Sequence, residues 1–157
     1  MKKNIFPVFL VLIMLPIFIA FLPVPIELHK QNKLTADSDI QFETKGWEHA
    51  LSEAKKQNKL VFLDAYTSWC GPCKLLKKTT FADKAVGDFF NKSFINITVD
   101  MEKGDGVALA KKYEVNAYPT LLLLDSEENV VTYTKGYLSS EQLIEFGKYG
   151  LANQIKK

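Results

Sequence analysis

The sequence has no arginine: all 20 of its basic residues are lysines. Without the planar guanidinium fork, and with balanced charge, the chain is poorly equipped to read phosphates or base edges, which argues against nucleic acid as a partner. Cysteine is also scarce. Two residues in 157 exclude a small domain held together by a disulfide framework. Histidine occurs only as His29 and His49. No internal repeat or low-complexity segment is present. What is there is ordinary for a globular domain: 47% hydrophobic and 24% charged residues exclude a disordered chain, a collagen or a coiled coil. The length allows one domain of common size. The net charge of +2 comes from Lys2 and Lys3, since the other 18 lysines balance 18 acidic residues.

Lys2 and Lys3 precede an uncharged, almost wholly apolar run, Asn4 to Ile26. It exceeds the roughly 20 residues that a bilayer requires. The basic flank is expected to stay cytoplasmic while the rest crosses. Two readings stay open, a signal-anchor and a cleaved signal peptide, both within residues 1–26. Ala20 is the only small residue in the run and Phe18 lies two before it, a poor cleavage site. Pro16, Pro23 and Pro25 weaken a straight spanning helix, although membrane helices tolerate proline. Membrane contact is expected through residues 5–26. On either reading the domain works on the extracytoplasmic, periplasmic side, where disulfides can form; secretion after cleavage is the second choice. Residues 27–39 contain the polar stretch His29 to Asp39 and read as a tether. Residues 40–157 are left for the fold.

Within them Ile40 to Thr44 alternates as a short edge strand would. Trp47, Ala50, Leu51 and Ala54 share one helix face, and His49 falls off it toward solvent. Leu60 to Tyr66 is a near-continuous apolar run, the mark of a strand covered on both faces. Cys70 to Thr79 reads as a turn entering a helix, and Asp83 to Asn91 as a second one with Val86, Phe89 and Phe90 inward. Phe94 to Asp100 is a strand, Gly106 to Tyr113 a helix. Thr120 to Asp125 and Val130 to Tyr137 pair across a polar turn, Ser126 to Asn129. Ser139 with Gln142 forms a capping box that opens a last helix. The predicted order, βαβα(α)βαββα, implies an α/β domain with helices on both faces of a mixed sheet.

The chemistry lies in Trp69-Cys70-Gly71-Pro72-Cys73-Lys74, between a buried strand and a helix. Unpaired N–H groups at a helix start stabilise a thiolate. Cys70 is therefore expected to sit there, accessible, as the attacking sulfur. Cys73, one turn on and shielded, is placed to resolve a mixed disulfide. Pro72 suits the first turn, where its missing N–H costs nothing. Two other readings are weaker: half a zinc site, which lacks partners beyond His29 and His49, and an inert bridge, which would close too short a loop to constrain the unfolded chain much. No metal or organic cofactor is implied.

This stretch resembles the active site of thioredoxin, and the similarity runs from about Leu60 to Phe146. Asp64 precedes Cys70 by six residues, as the family's buried carboxylate does. Tyr118-Pro119-Thr120 matches its cis-proline loop, Gly136 its glycine after the hairpin, and Asp100 the end of its middle strand. The resemblance implies a thioredoxin-like three-layer fold. The lysine-rich helix before Leu60 and the stretch Thr80 to Asp83 look more like the thioredoxin-like domain of transmembrane disulfide reductases. Three positions depart from thioredoxin. Asn96 stands where a lysine usually approaches the buried carboxylate, Lys78 replaces a kinking proline, and Tyr66 a tryptophan.

Asp64 lies in an apolar strand, so burial should raise its pKa and fit it to take the Cys73 proton. The alternative is a carboxylate bonded to a backbone N–H. By resemblance Pro119 is cis opposite the dithiol and leaves the Tyr118 backbone to pair with an extended substrate. Trp69 is a lip beside Cys70 or a core aromatic. Gly71 and Pro72 complete the expected substrate surface. The expected activity is thiol–disulfide exchange on protein disulfides by a monomer, with electrons from a transmembrane reductant carrier. An oxidase or isomerase of the same fold, or a peptide-binding module with a closed cysteine pair, remains as the alternative.

Overall fold

The computed structural model describes residues 39–154. The apolar run and nearly all of the tether expected in residues 1–39 lie outside that range. Among the described residues no helix is long and apolar enough to cross a membrane.

Four strands form one mixed sheet, β1 (Leu60–Tyr66), β2 (Phe94–Asp100), β3 (Thr120–Leu124) and β4 (Val130–Lys135), in the order β2-β1-β3-β4. The β1–β2 pair is parallel; β3 runs antiparallel to both β1 and β4. Helices α1 (Trp47–Gln57), α2 (Gly71–Lys78), α3 (Lys84–Ser93), α4 (Gly106–Lys112) and α5 (Ser140–Ala152) complete the chain.

Period-two alternation splits the apolar residues of β1 and β3 between two faces. Leu60, Phe62, Leu121 and Leu123 pack with Leu76 of α2, Phe90 of α3 and Leu143 of α5. Val61, Leu63 and Leu122 pack with Trp47 and Ala54 of α1 and Leu109 of α4. Two cores on opposite faces of one sheet make the three layers. With both faces covered, β1 has no room for alternation, which is why its first six residues are all buried. Gly150 lets α5 lie against β3, because a Cβ there would overlap the Leu123 side chain. Ser139 and Gln142 make the expected capping box at the start of α5.

One predicted element is absent. Ile40 to Thr44 is extended but is not a strand, so the order is αβααβαββα. Ile40 is buried and Phe42 meets Phe81 at 5.4 Å, so the alternation is real for the side chains. The backbone partners are not those of a ladder. Ile40 N–H donates to the Phe81 carbonyl at 2.8 Å and Glu43 N–H to that of Asn96 at 2.7 Å. Between them, Gln41 N–H donates to Asn91 Oδ1 at 2.8 Å and Asn96 Nδ2 to the Gln41 carbonyl at 3.4 Å. Side-chain amides thus replace ladder bonds along this edge. His49 also departs from expectation: it is half-buried, with Nδ1 3.0 Å from Glu43 Oε2.

Candidate active site

Asp64 pairs with Leu121 and Ala65 with Thr120 across β1 and β3. Pro119 therefore falls level with Tyr66, the last residue of β1, beside the turn that carries the cysteines. Outside the first 26 residues the chain has only two prolines, Pro72 and Pro119, and both are here. Cys70 is the N-cap of α2, with an extended backbone, and its Sγ accepts the Cys73 N–H at 3.1 Å. Pro72 occupies the first turn of α2, where its lack of an N–H leaves no bond unmade. Cys70 and Cys73 are joined in a disulfide, and no free cysteine is present.

The expected contrast between an accessible Cys70 and a shielded Cys73 is not found. In the disulfide form Cys70 is 3% exposed and Cys73 6%. A helix start leaves N–H groups open but does not by itself expose a side chain, and here the sulfur turns inward onto the Cys73 amide. Gly71 and Pro72 remain exposed around it, and a side chain at Gly71 would project into open space.

Trp69 is a lip and not a core residue, at 64% exposure. Its Nε1 donates to Glu102 Oε2 at 2.9 Å, and its ring meets that of Tyr118 edge-on at 5.9 Å between centroids. The Tyr118–Pro119 peptide bond is cis, as the resemblance implied. The Pro119 carbonyl accepts the N–H of Gly136, at 2.8 Å, a residue whose φ of 90° favours glycine. Among the described residues no hydrogen bond engages the amide or carbonyl of Tyr118.

Asp64 is 6% exposed. Its partner is not a backbone amide: Thr98 of β2, opposite it in the parallel register, donates Oγ1–H to Oδ2 at 2.9 Å. Oδ1 is buried without a partner. Burial pushes this carboxyl up to about 7, against the lowering effects of the Thr98 bond and of Lys77. A cavity of about 170 Å³ joins Asp64, Cys73, Lys77 and Thr98. The carboxyl and the helix-embedded sulfur thus face one space, the arrangement needed to move a proton between them. Asn96 does not face it; its amide is spent on Gln41 and Asn91.

Sequence reasoning missed Thr98, Lys77 and Glu102. Lys77 was legible, since it lies four residues after Cys73 and so on the same helix face. Thr98 required the β1–β2 register, and Glu102 left no signal. Among the described residues no group of histidine, cysteine and acidic side chains is arranged to hold a metal ion.

This chain is similar to known proteins. A model of the thioredoxin-like domain matches residues 47–151. The thiol:disulfide interchange protein DsbD of Yersinia pestis is 33% identical over 95 residues, 59% of this chain but 16% of DsbD, so the chain spans about a sixth of that relative. The solution structure of a candidate disulphide-isomerase from Bacteroides thetaiotaomicron is 43% identical, with a TM-score of 0.65, covering 76% of this chain and 97% of that one. The reduced C-terminal domain of Neisseria meningitidis DsbD is 25% identical, with a TM-score of 0.56 over 66% of this chain and 92% of that one. With the capped dithiol, the cis-proline and the buried carboxyl in the expected places, the chain belongs to the thioredoxin-like family.

Proposed function

We propose that this protein is an extracytoplasmic thiol–disulfide oxidoreductase that reduces disulfides in other proteins. The carrying observation is the Cys70–Cys73 pair at the start of α2 with Asp64 across one small cavity. In the reduced protein the Cys70 thiolate attacks a client sulfur, forming a mixed disulfide and releasing the other client sulfur as a thiolate. Asp64 takes the Cys73 proton, and the Cys73 thiolate attacks Cys70 Sγ. The second client thiolate leaves, and the domain ends as the disulfide seen here. Two electrons have passed to the client, and a partner dithiol must return them. Tyr118, with its backbone unengaged, and Pro119 orient an extended client peptide; Trp69, Gly71 and Pro72 form the exposed rim that it meets.

Direction follows from what stabilises the thiolate. The helix start is the main favourable contribution, no histidine lies between the cysteines, and a modest shift of this kind goes with a reducing potential. The Lys2 and Lys3 flank and the apolar run support an anchor in residues 1–26, a tether in 27–39 and a monomeric domain in 40–157, fed by a transmembrane reductant carrier. The similarity to DsbD, named for thiol:disulfide interchange, supports the same reading.

Equilibration with glutathione, followed by Trp69 fluorescence, tests the direction. A potential near that of thioredoxin, roughly −270 mV, is expected; one near roughly −180 mV would favour an isomerase. In the same protein Cys73→Ser should accumulate mixed disulfides with clients, and Cys70→Ser none.

A further inference from the structure

Helix α2 carries charge of one sign. Gly71 to Lys78 includes Lys74, Lys77 and Lys78 and no acid. Every other helix has a lysine in an ion pair: Lys56 with Glu53 on α1, Lys84 with Asp88 on α3, Lys112 of α4 with Glu128, and Lys148 with Glu145 on α5. Among the described residues no lysine of α2 has such a partner. Asp64 lines the cavity behind Lys74 and Lys77, but it is buried and bonded to Thr98. The acids nearer the surface are engaged elsewhere. Glu102 accepts from Trp69, Asp83 caps α3, and Glu141 accepts from the Ser139 hydroxyl.

The exposed residues of α2 form a stripe. Gly71, Lys74, Leu75 and Lys78 fall at i, i+3, i+4 and i+7, which is one face of a helix, and all four are exposed. The opposite face buries Cys73 and Leu76. Leu75, between the two lysines, is 51% exposed. The stripe starts at the rim beside Cys70 and runs about 10 Å down the helix. At its far end Thr79 Oγ1 lies 3.2 Å from the Tyr137 hydroxyl, and Tyr137 is exposed. An apolar centre flanked by unpaired cations fits a partner of opposite charge that also has an apolar side chain to cover Leu75.

We propose that this face of α2 is a docking surface for the acidic flank of a client protein, a segment rich in Asp and Glu beside the client disulfide. The assignment rests on the exchange reaction proposed above and names the disulfides that it favours. A segment held along the stripe leaves its neighbouring sulfur at the Cys70 end. An anionic membrane on the same face would instead cover the rim. Opposite charge acts before contact, so it raises the rate of encounter, and salt weakens it.

Two disulfide-closed probe peptides test this, alike except that the aspartates flanking the cysteines of one are lysines in the other. With the reduced, full-length protein in neutral detergent at low salt, the aspartate peptide should be reduced about tenfold faster, the low end of what charged surfaces add to association. In about 0.5 M salt the ratio should fall to roughly two. Lys78→Gln, outside the Asp64 cavity, should lower the ratio to about threefold and leave the rate with uncharged hydroxyethyl disulfide unchanged. Adding Lys74→Gln should bring the ratio close to one. Lys92→Gln makes the same change of charge just before β2, at the end of the sheet away from the cysteines, and should keep the wild-type ratio. A wild-type ratio near one, or a preference that survives both substitutions on α2, would overturn the assignment. So would binding to vesicles of anionic lipid that needs these lysines while the two peptides react alike. A protein that reduces neither peptide nor hydroxyethyl disulfide would sink the exchange reading instead. The surface is then decided by titrating the aspartate peptide, with serines for its cysteines, and following backbone amides by NMR: shifts along α2 and at Tyr137 support it, and shifts elsewhere or none refute it.

Discussion

The two tryptophans keep the same company at very different depths. Each indole N–H donates to a glutamate at 2.9 Å, Trp47 to Glu128 and Trp69 to Glu102. Each ring meets a tyrosine edge-on, Trp47 with Tyr113 at 6.1 Å and Trp69 with Tyr118 at 5.9 Å. Yet Trp47 is 5% exposed and Trp69 64%. The polar contact and the ring contact fix orientation in both. Burial separates their roles: Trp47 closes one core, while Trp69 is held still with its face open to whatever approaches the dithiol. The carboxylates at the two sites of the sheet differ in the same spirit. Glu128, in the β3–β4 turn, is held below the ordinary range chiefly by its bond to Lys112, at 2.7 Å, helped by the Trp47 indole. Asp64, at the dithiol end of β1, has no bonded cation and is raised to about 7.

Truncating the two rings should break the likeness most sharply. Trp47→Ala should cost about 3–5 kcal/mol of stability, the range for a buried aromatic. Trp69→Ala should stay within about 0.5 kcal/mol, as surface changes do, while slowing exchange with protein disulfides more than with small disulfides. Urea unfolding of both variants measures the difference, and equal losses would dissolve it.

The carboxylate contrast predicts a dependence on pH. Because Asp64 is raised in the fold, the folded state binds its proton more tightly than the unfolded chain does. Its contribution to stability is present in full below the unfolded value near 4 and is lost as pH rises toward and through about 7. Keeping it ionised at pH 8 costs on the order of 4 kcal/mol. Asp64→Asn, in the oxidised protein, should therefore be more stable than wild type at pH 8 and lose that advantage by pH 4; thermal melts at the two pH values decide it. Glu128→Gln should cost about 1 kcal/mol in urea unfolding, since it weakens one charge-assisted bond and a largely solvated ion pair. The smallest effect is expected from Glu102→Gln. Stability should hold within about 0.5 kcal/mol, but Trp69 fluorescence, read in a Trp47→Phe background, should show faster local depolarisation.

Much of this was legible in the sequence because it follows from local periodicity. The β1 run, the α1 face, the cap of α2 and the Ser139–Gln142 box need only neighbours along the chain. Asp64 was legible as a buried acid because its strand is apolar throughout. What escaped depends on register and on side chains far apart in sequence. Thr98 meets Asp64 only once β1 and β2 are aligned. The lysines that line the Asp64 cavity come from α2, and a strand's own pattern does not say which helix residues face it. Ile40 to Thr44 carries a strand's alternation, but its backbone partners include side-chain amides, and alternation says nothing about those. The inward turn of Cys70 was hidden for a similar reason: spacing places a residue on a helix but not its sulfur on an amide.

The extended segment at Ile40 has a mechanical meaning. Any tension entering the chain ahead of it meets first the bond from Asn91 Nδ2 to the Asp39 carbonyl, at 3.1 Å, and then those from Ile40 to Phe81, from Gln41 to Asn91 and from Glu43 to Asn96. Phe81 lies beyond the end of α2 opposite the cysteines, and Asn96 lies within β2, the strand opposite Asp64. Load is therefore delivered to the framework behind the dithiol, while Trp69, Tyr118 and Pro119 sit off its path. A pull on this segment would strain the scaffold and leave the reactive face slack.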